Sequence, residues 1–248
     1  MKLLDNGIFE ENYKTSFSQN GIHGELTNKS FLSLFENLAG AHSAYCHFTF
    51  SDLEKDHLSW VILSWKLRVY KRPKADQDIL VQTWGRFSNK VFVLRDFKVL
   101  DKEGNVLAIA SSKWCLVDSV QGRIAKMPDN LAEIYYKFYD ESVFGITDLP
   151  RLQVPETKAI SSDTYKIRRF DLDLNKHVHN LNYLNFAYEV LPLDVFIAPE
   201  LNNVEISYKK EIKYGETIKS SLYIVDGKYV IVIRNEDESL IHAIITLE

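Results

Sequence analysis

The chain has 248 residues, 46% of them hydrophobic, enough for the core of one large domain or of two ordinary ones. Its 34 acidic and 30 basic side chains leave a formal net charge of −4, which argues against wholesale binding to nucleic acid or an anionic membrane, and no run approaches the ~18 apolar residues of a membrane span. Cys46 and Cys115 share no CxxC spacing, so neither a disulfide framework nor a zinc site is implied, and both are expected as reduced thiols.

From the N-terminus, residues 1–14 show neither a cationic start with a long apolar core nor a small-residue cleavage site, so a cytoplasmic location is expected. A first helix is indicated by Phe31, Leu34, Phe35 and Leu38, spaced near 3.6 residues. On this stretch and just beyond it, Ala39, Gly40, Ala41 and Ala44 are small enough either to leave room for an alkyl tail or to allow close packing on a sheet. His42, Cys46 and His47 have no third ligand cluster nearby and read as core rather than as a metal site. Strands rich in β-branched and aromatic residues follow, and the turn at Asp101-Lys102-Glu103-Gly104 closes a hairpin between "FVLRDFKVL" and "VLAIASSKWCLV". Pro128 is expected to open a short helix reaching Tyr139, and Pro150, Pro155 and Ser161-Ser162 punctuate a connecting segment.

Past that segment the order of elements recurs. "TYKIRRFDLDLN" is a weak counterpart of "NYKTSFSQNGIH", with Tyr165 matching Tyr13. A second helix is indicated by Leu181, Leu184, Tyr188 and Leu191. Ser207-Tyr208-Lys209-Lys210 then resembles Val69-Tyr70-Lys71-Arg72 at an offset of 138, and Asn235-Glu236-Asp237-Glu238 closes a second hairpin. Two units follow, 1–150 and 151–248, each a helix with antiparallel sheet. No G-x-S-x-G elbow is present, so a serine mechanism on an α/β-hydrolase frame has no support.

The stretch "RRFDLDLNKHVHNLNYLNFAYEVLP" resembles the D-x-N-x-H-V-N-N-x-x-Y signature of the fatty acyl-acyl carrier protein thioesterases. The likeness extends to "WKLRVYKRP", "KWCLVDSVQGRIAKMP" and "ISYKKEIKYGE", nearly the full chain. It implies an α+β tandem (double) hotdog, each half a long helix wrapped by an antiparallel sheet. It also implies hydrolysis of fatty acyl thioesters on acyl carrier protein, in fatty acid biosynthesis, without cofactor or metal. Asp173, Asn175 and His177 fall on the catalytic D-x-N-x-H, and Glu211 on an acid of the same network. Asn180 and Tyr183 fall on the second asparagine and the tyrosine, as residues expected to contact substrate. Where plant members carry a cysteine after that acid this chain has Ile212, which favours water as the attacking species, and His179 replaces the first asparagine of the pair. A double hotdog pairs its halves internally, so a monomer or a homodimer is expected.

Read from the residues alone, an extended 171–178 would place Asp173, Asn175 and His177 on one face. Thioester hydrolysis needs a base for water and donors for the oxyanion, while a thiol of pKa ~8.5 leaves without a strong acid. Glu211 or His177 suits the base, Asp173 the orientation of the imidazole, and Asn175 the carbonyl oxygen or the water. Backbone N–H groups at a helix start near Asn180 would add positive character. The plainer readings are that Asp173 and Asn175 cap or turn the chain, that His177 and His179 are structural, and that Glu211 continues an exposed strand face. Aligned with the first half, Asp173, Asn175 and His177 meet Gly21, His23 and Glu25, and Glu211 meets Pro73, so one site per chain is expected. Acyl carrier protein is acidic, and Arg168 and Arg169, just ahead of the motif, are the expected substrate-side cations. The alternatives are an acyl-coenzyme A thioesterase and a noncatalytic acyl-thioester binding protein.

Overall fold

The computed structural model describes residues 1–87, 91–128, 141–199 and 201–248. The chain forms two compact units, Met1–Leu149 and Pro150–Glu248. The short helix expected up to Tyr139 lies outside the described residues.

In the first unit, α1 (Asn28–Tyr45) opens at Thr27, whose side chain accepts the Ser30 N–H, and buries Phe31, Leu32, Leu34, Phe35, Leu38, Ala39 and His42 along one stripe. A short α2 (Phe50–Lys55) follows, closed by a capping box between Thr49 and Asp52. The strands β1 (Lys2–Leu3), β2 (Phe9–Lys14), β3 (Leu58–Val69), β4 (Asp78–Phe87), β5 (Phe92–Leu100) and β6 (Val106–Asp118) pair antiparallel in the order β1-β2-β4-β5-β6-β3, and β7 (Arg123–Ala125) pairs with β6. The helix lies on β2 and β4. Phe35 stacks on Phe97 at 4.8 Å between ring centroids, and Trp65 tilts against Phe97 at 5.4 Å. The β5–β6 turn forms as expected: Asp101 Oδ1 accepts the N–H groups of Glu103 and Asn105, and Gly104 takes a φ of 85°.

The second unit is the sheet β9-β12-β11-β10-β8, antiparallel throughout: β8 (Ser161–Lys166), β9 (Asn203–Tyr208), β10 (Thr217–Val225), β11 (Lys228–Asn235) and β12 (Ile241–Leu247). Its helix α3 (Asn182–Tyr188) packs on β11 and β12 and buries Tyr183, Leu184, Phe186 and Ala187. At seven residues it is much shorter than α1 and stops before Leu191, because Pro192 disfavours helical backbone at the residue ahead of it. A single turn, α4 (Leu193–Phe196), follows.

The two units repeat each other hydrogen bond by hydrogen bond. Tyr13 pairs with Ile79 as Tyr165 pairs with Ile218. One 3-10 turn follows in each, Phe17–Gln19 and Arg169–Asp171, and then one isolated bridge, Asn20 to Leu26 and Leu172 to Val178. The Thr15 N–H donates to the Gln77 carbonyl as Ile167 does to Glu216, both at 2.9 Å, and Leu26 donates to Pro73 as Val178 does to Ile212, also at 2.9 Å. Each frame is locked by a side chain reaching back, Gln77 Oε1 to the Lys74 N–H and Glu216 Oε2 to the Lys213 N–H. Matched atoms stand 152 residues apart before the helix (Tyr13, Tyr165) and 139 after the next strand (Gln77, Glu216). Such a match of donors and acceptors is far more specific than two similar hydropathy patterns.

Candidate active site

Residues 171–178 do not run extended. Leu172 bridges Val178, the Asp173 N–H donates to the His177 carbonyl at 2.8 Å, and Lys176 turns back with a φ of 63°. Asp173 holds this turn with its own carboxylate: Oδ1 accepts the Asn175 N–H at 2.8 Å and the His177 N–H at 3.2 Å. The alternation argument for a shared face is therefore corrected, because a local side-chain to backbone bond competes with the extended conformation and wins. Asn175 sits exposed at the tip, and His177 is half-buried on the returning limb.

The returning limb lies beside the segment after β9. His177 bridges Lys213, and the Val178 N–H bonds to the carbonyl of Ile212, the residue after Glu211. This brings the Asp173, Asn175 and His177 loop next to Glu211, as one cluster of backbone. Glu211 is exposed, with Lys210 Nζ 3.7 Å from its carboxylate. It does not continue the alternation of β9, which ends at Tyr208, because Lys209 and Lys210 both donate to the single carbonyl of His242, at 2.8 and 3.3 Å. The repeat also corrects its counterpart: with Ile212 on Pro73, Glu211 falls on Arg72 rather than on Pro73 itself. Arg72 donates to Leu26 O and Asn28 Oδ1. The frame is thus shared while the side chain changes from cation to carboxylate.

Beneath the loop, Tyr183 is buried, edge-on to Tyr208 at 5.2 Å. Burial raises its phenol pKa, opposed by a hydrogen bond with the Ile212 backbone, and the carboxylates of Glu211, Glu216 and Asp173 raise it further. These interactions collect the acids around one buried ring. They also make Tyr183 a support of the site, not an exposed contact. Tyr208 donates its hydroxyl to the Asn180 carbonyl at 3.0 Å, which fixes the entry to α3. Ile212 is fully buried where a cysteine nucleophile would have to stand.

The N–H groups expected to flank a carbonyl are spent. Leu181 donates to His179 Nδ1 at 3.3 Å, Asn182 to the His179 carbonyl, Tyr183 to that of Asn180 and Leu184 to that of Leu181. His179 occupies the repeat position of Thr27, but it accepts the Leu181 N–H within the turn ahead of α3, whose own N-cap, Leu181, has no side-chain cap. Arg168 and Arg169 are exposed, the former 5.1 Å from the Tyr165 ring, and beside them Phe170 is fully exposed and Leu174 is 88% exposed.

A helix-on-sheet unit present twice in the chain, with Asp173, Asn175, His177 and Glu211 drawn together by backbone bonds in one copy, describes a tandem hotdog. The chain belongs to the acyl-ACP thioesterase family: residues 6–135 match the model of the acyl-ACP thioesterase N-terminal domain and 155–246 that of the C-terminal domain. It is 24% identical over 236 residues, 88% of its length, to oleoyl-acyl carrier protein thioesterase 2, chloroplastic, of Arabidopsis thaliana. It spans just under two thirds, 64%, of that relative. Its fold is that of the 12:0-ACP thioesterase from Umbellularia californica (TM-score 0.86, 19% identity, 100% and 98% of the two chains). The acyl-ACP thioesterase from Bacteroides thetaiotaomicron shares it as well (TM-score 0.85, 19% identity, 98% of each).

Proposed function

We propose that the chain hydrolyses fatty acyl thioesters carried on acyl carrier protein, releasing free fatty acid and the carrier with its free thiol. The observation that carries this reading is the backbone cluster of Asp173, Asn175, His177 and Glu211 in a chain whose two halves both match acyl-ACP thioesterase models.

In the mechanism that suits these residues, His177 or Glu211 removes a proton from water as its oxygen bonds to the thioester carbonyl carbon. Negative charge builds on the carbonyl oxygen, and the exposed Asn175 amide at the turn tip can donate to it. Collapse breaks the carbon–sulfur bond, and the departing thiolate takes up the proton held by the base. Asp173 keeps Asn175 and His177 in register through their N–H groups. The cations Arg168 and Arg169, with Phe170 and Leu174, offer a mixed basic and apolar patch to an acidic carrier. We place the reaction in the cytoplasm as part of fatty acid biosynthesis, which subcellular fractionation tests.

Thiol release, with the acid product identified by mass, from matched carrier and coenzyme A thioesters is the direct test. Wild type should prefer the carrier thioester, and His177→Ala and Glu211→Ala should each lose about 100-fold or more, as for removal of base catalysis. Preference for the coenzyme A thioester would transfer the reading to that substrate. Binding without turnover would make the chain a noncatalytic acyl-thioester binder.

A further inference from the structure

The repeat singles out a residue that the sequence motif does not contain. In each unit a β-bulge interrupts the pairing of the hairpin strands, between Val99 and Leu100 in the first and between Ile233 and Arg234 in the second. The extra residue is Leu107 in one and His242 in the other, each skipped in the register. Its carbonyl does the same work in both: it accepts from Tyr70 and Lys71 at 2.8 and 3.1 Å, and from Lys209 and Lys210 at 2.8 and 3.3 Å. Both side chains are buried.

The backbone frame is therefore satisfied by a leucine, and a buried histidine at the same place is not required by folding. His242 is 2% exposed, and its Nδ1 lies 3.2 Å from the Lys210 carbonyl, a bond that needs a proton on Nδ1. Its Nε2 has no hydrogen-bond partner among the described residues. A buried polar atom left so is a cost to stability that leucine would avoid. What the imidazole adds is a second tie to Lys210, immediately before Glu211, in the unit that holds the Asp, Asn and His loop; Leu107 serves the unit where Arg72 takes the Glu211 position. Bulges next to functional sites commonly aim neighbouring groups in this way.

We propose that His242 is a positioning residue of the site: it fixes the Lys210 peptide by Nδ1–H donation and so sets the direction in which Glu211 leaves the end of β9. This inference rests on the thioesterase reading for the identity of the reaction. The test compares His242→Leu, the side chain the repeat itself uses, with His242→Asn, whose amide restores a donor near Nδ1. Wild-type turnover of the carrier thioester tests the proposed function by itself; the ratios of variant to wild type test the positioning. His242→Leu should keep or raise the midpoint of thermal unfolding while kcat falls about tenfold or more with KM little changed, as for a misaimed group, and His242→Asn should recover part of that loss. Wild-type kcat in His242→Leu overturns the proposal, as does a loss that tracks a lowered unfolding midpoint. With an inactive wild type the thioesterase reading fails, and the orientation of Glu211 in crystals of wild type and His242→Leu decides the positioning: an unchanged carboxylate overturns it.

Discussion

Asp173→Ala removes the acceptor of two backbone N–H groups, from Asn175 at 2.8 Å and His177 at 3.2 Å. With the carboxylate only half-buried, each bond is assigned about 1 kcal/mol net, the ordinary value for a hydrogen bond and below that of a fully buried charged acceptor, so the turn loses about 2 kcal/mol of preference for its present shape. At 1.36 kcal/mol per factor of ten, that dilutes the ordered loop ~30-fold. Asp173→Asn keeps an oxygen acceptor at the same place and gives up only the charge. The Ala variant should therefore fall at least about tenfold further in kcat/KM than the Asn variant. Hydrogen exchange at the amides of Asn175 and His177 should be protected in wild type and Asp173→Asn and lost in Asp173→Ala. Equal losses of activity, with both amides still protected in the Ala variant, would refute the reasoning and leave charge as the whole contribution.

Three further predictions concern other parts of the molecule. Asp96, fully buried, faces Arg86 Nε at 3.0 Å and accepts the Val143 N–H at 2.9 Å, yet burial outweighs these partners and raises its pKa. Asp96→Ala should cost about 3–5 kcal/mol in urea unfolding by stranding Arg86, whereas Asp96→Leu with Arg86→Met should stay near wild type; a single-variant cost below ~1 kcal/mol would contradict this. His42 is held to a pKa of about 3 by burial and then by Arg95, whose guanidinium is 3.0 Å from its Nδ1. Because the unfolded chain binds the proton first, this group's stability is complete above an ordinary histidine pKa of ~6.5 and drains as pH falls towards 3, by roughly 1 kcal/mol per unit; a His42→Gln variant should show a flatter acid limb of stability against pH. Arg168→Glu with Arg169→Glu should raise KM for the carrier thioester about tenfold at low salt, leave the coenzyme A thioester unchanged, and lose its effect in high salt.

Much of the fold was legible because it rests on local pattern: the stripe of α1, the two hairpin turns and the Tyr13 to Tyr165 match all reflect short-range periodicity or turn chemistry. The acid, amide and imidazole were legible as a motif, and the Asp-x-Asn spacing also carried the turn-forming reading that the structure adopts. What sequence could not supply depends on residues far apart. Matching by residue type puts Tyr208 on Tyr70 and so Glu211 on Pro73, whereas the hydrogen bonds to the Leu107 and His242 carbonyls put Lys209 on Tyr70 and Glu211 on Arg72. His42 looked like ordinary core because its partner, Arg95, comes from a strand 53 residues away. His242 had no motif around it, and only the comparison with Leu107 makes it conspicuous.

That comparison reaches beyond one residue. Since both halves spend the same peptide groups around this loop and strand end on matching partners, each half serves there as an internal control for the other. A position filled alike in both reports on what folding demands; a position filled differently reports on what was asked of one copy alone. The second half also contains a helix of seven residues where the first has eighteen. A chain organised in this way could be redesigned by exchange, with side chains carried from one frame to their mates in the other: Gly21, His23, Glu25, Arg72 and Leu107 would become Asp, Asn, His, Glu and His. The hydrogen bonds that must survive such a graft are already present at the destination.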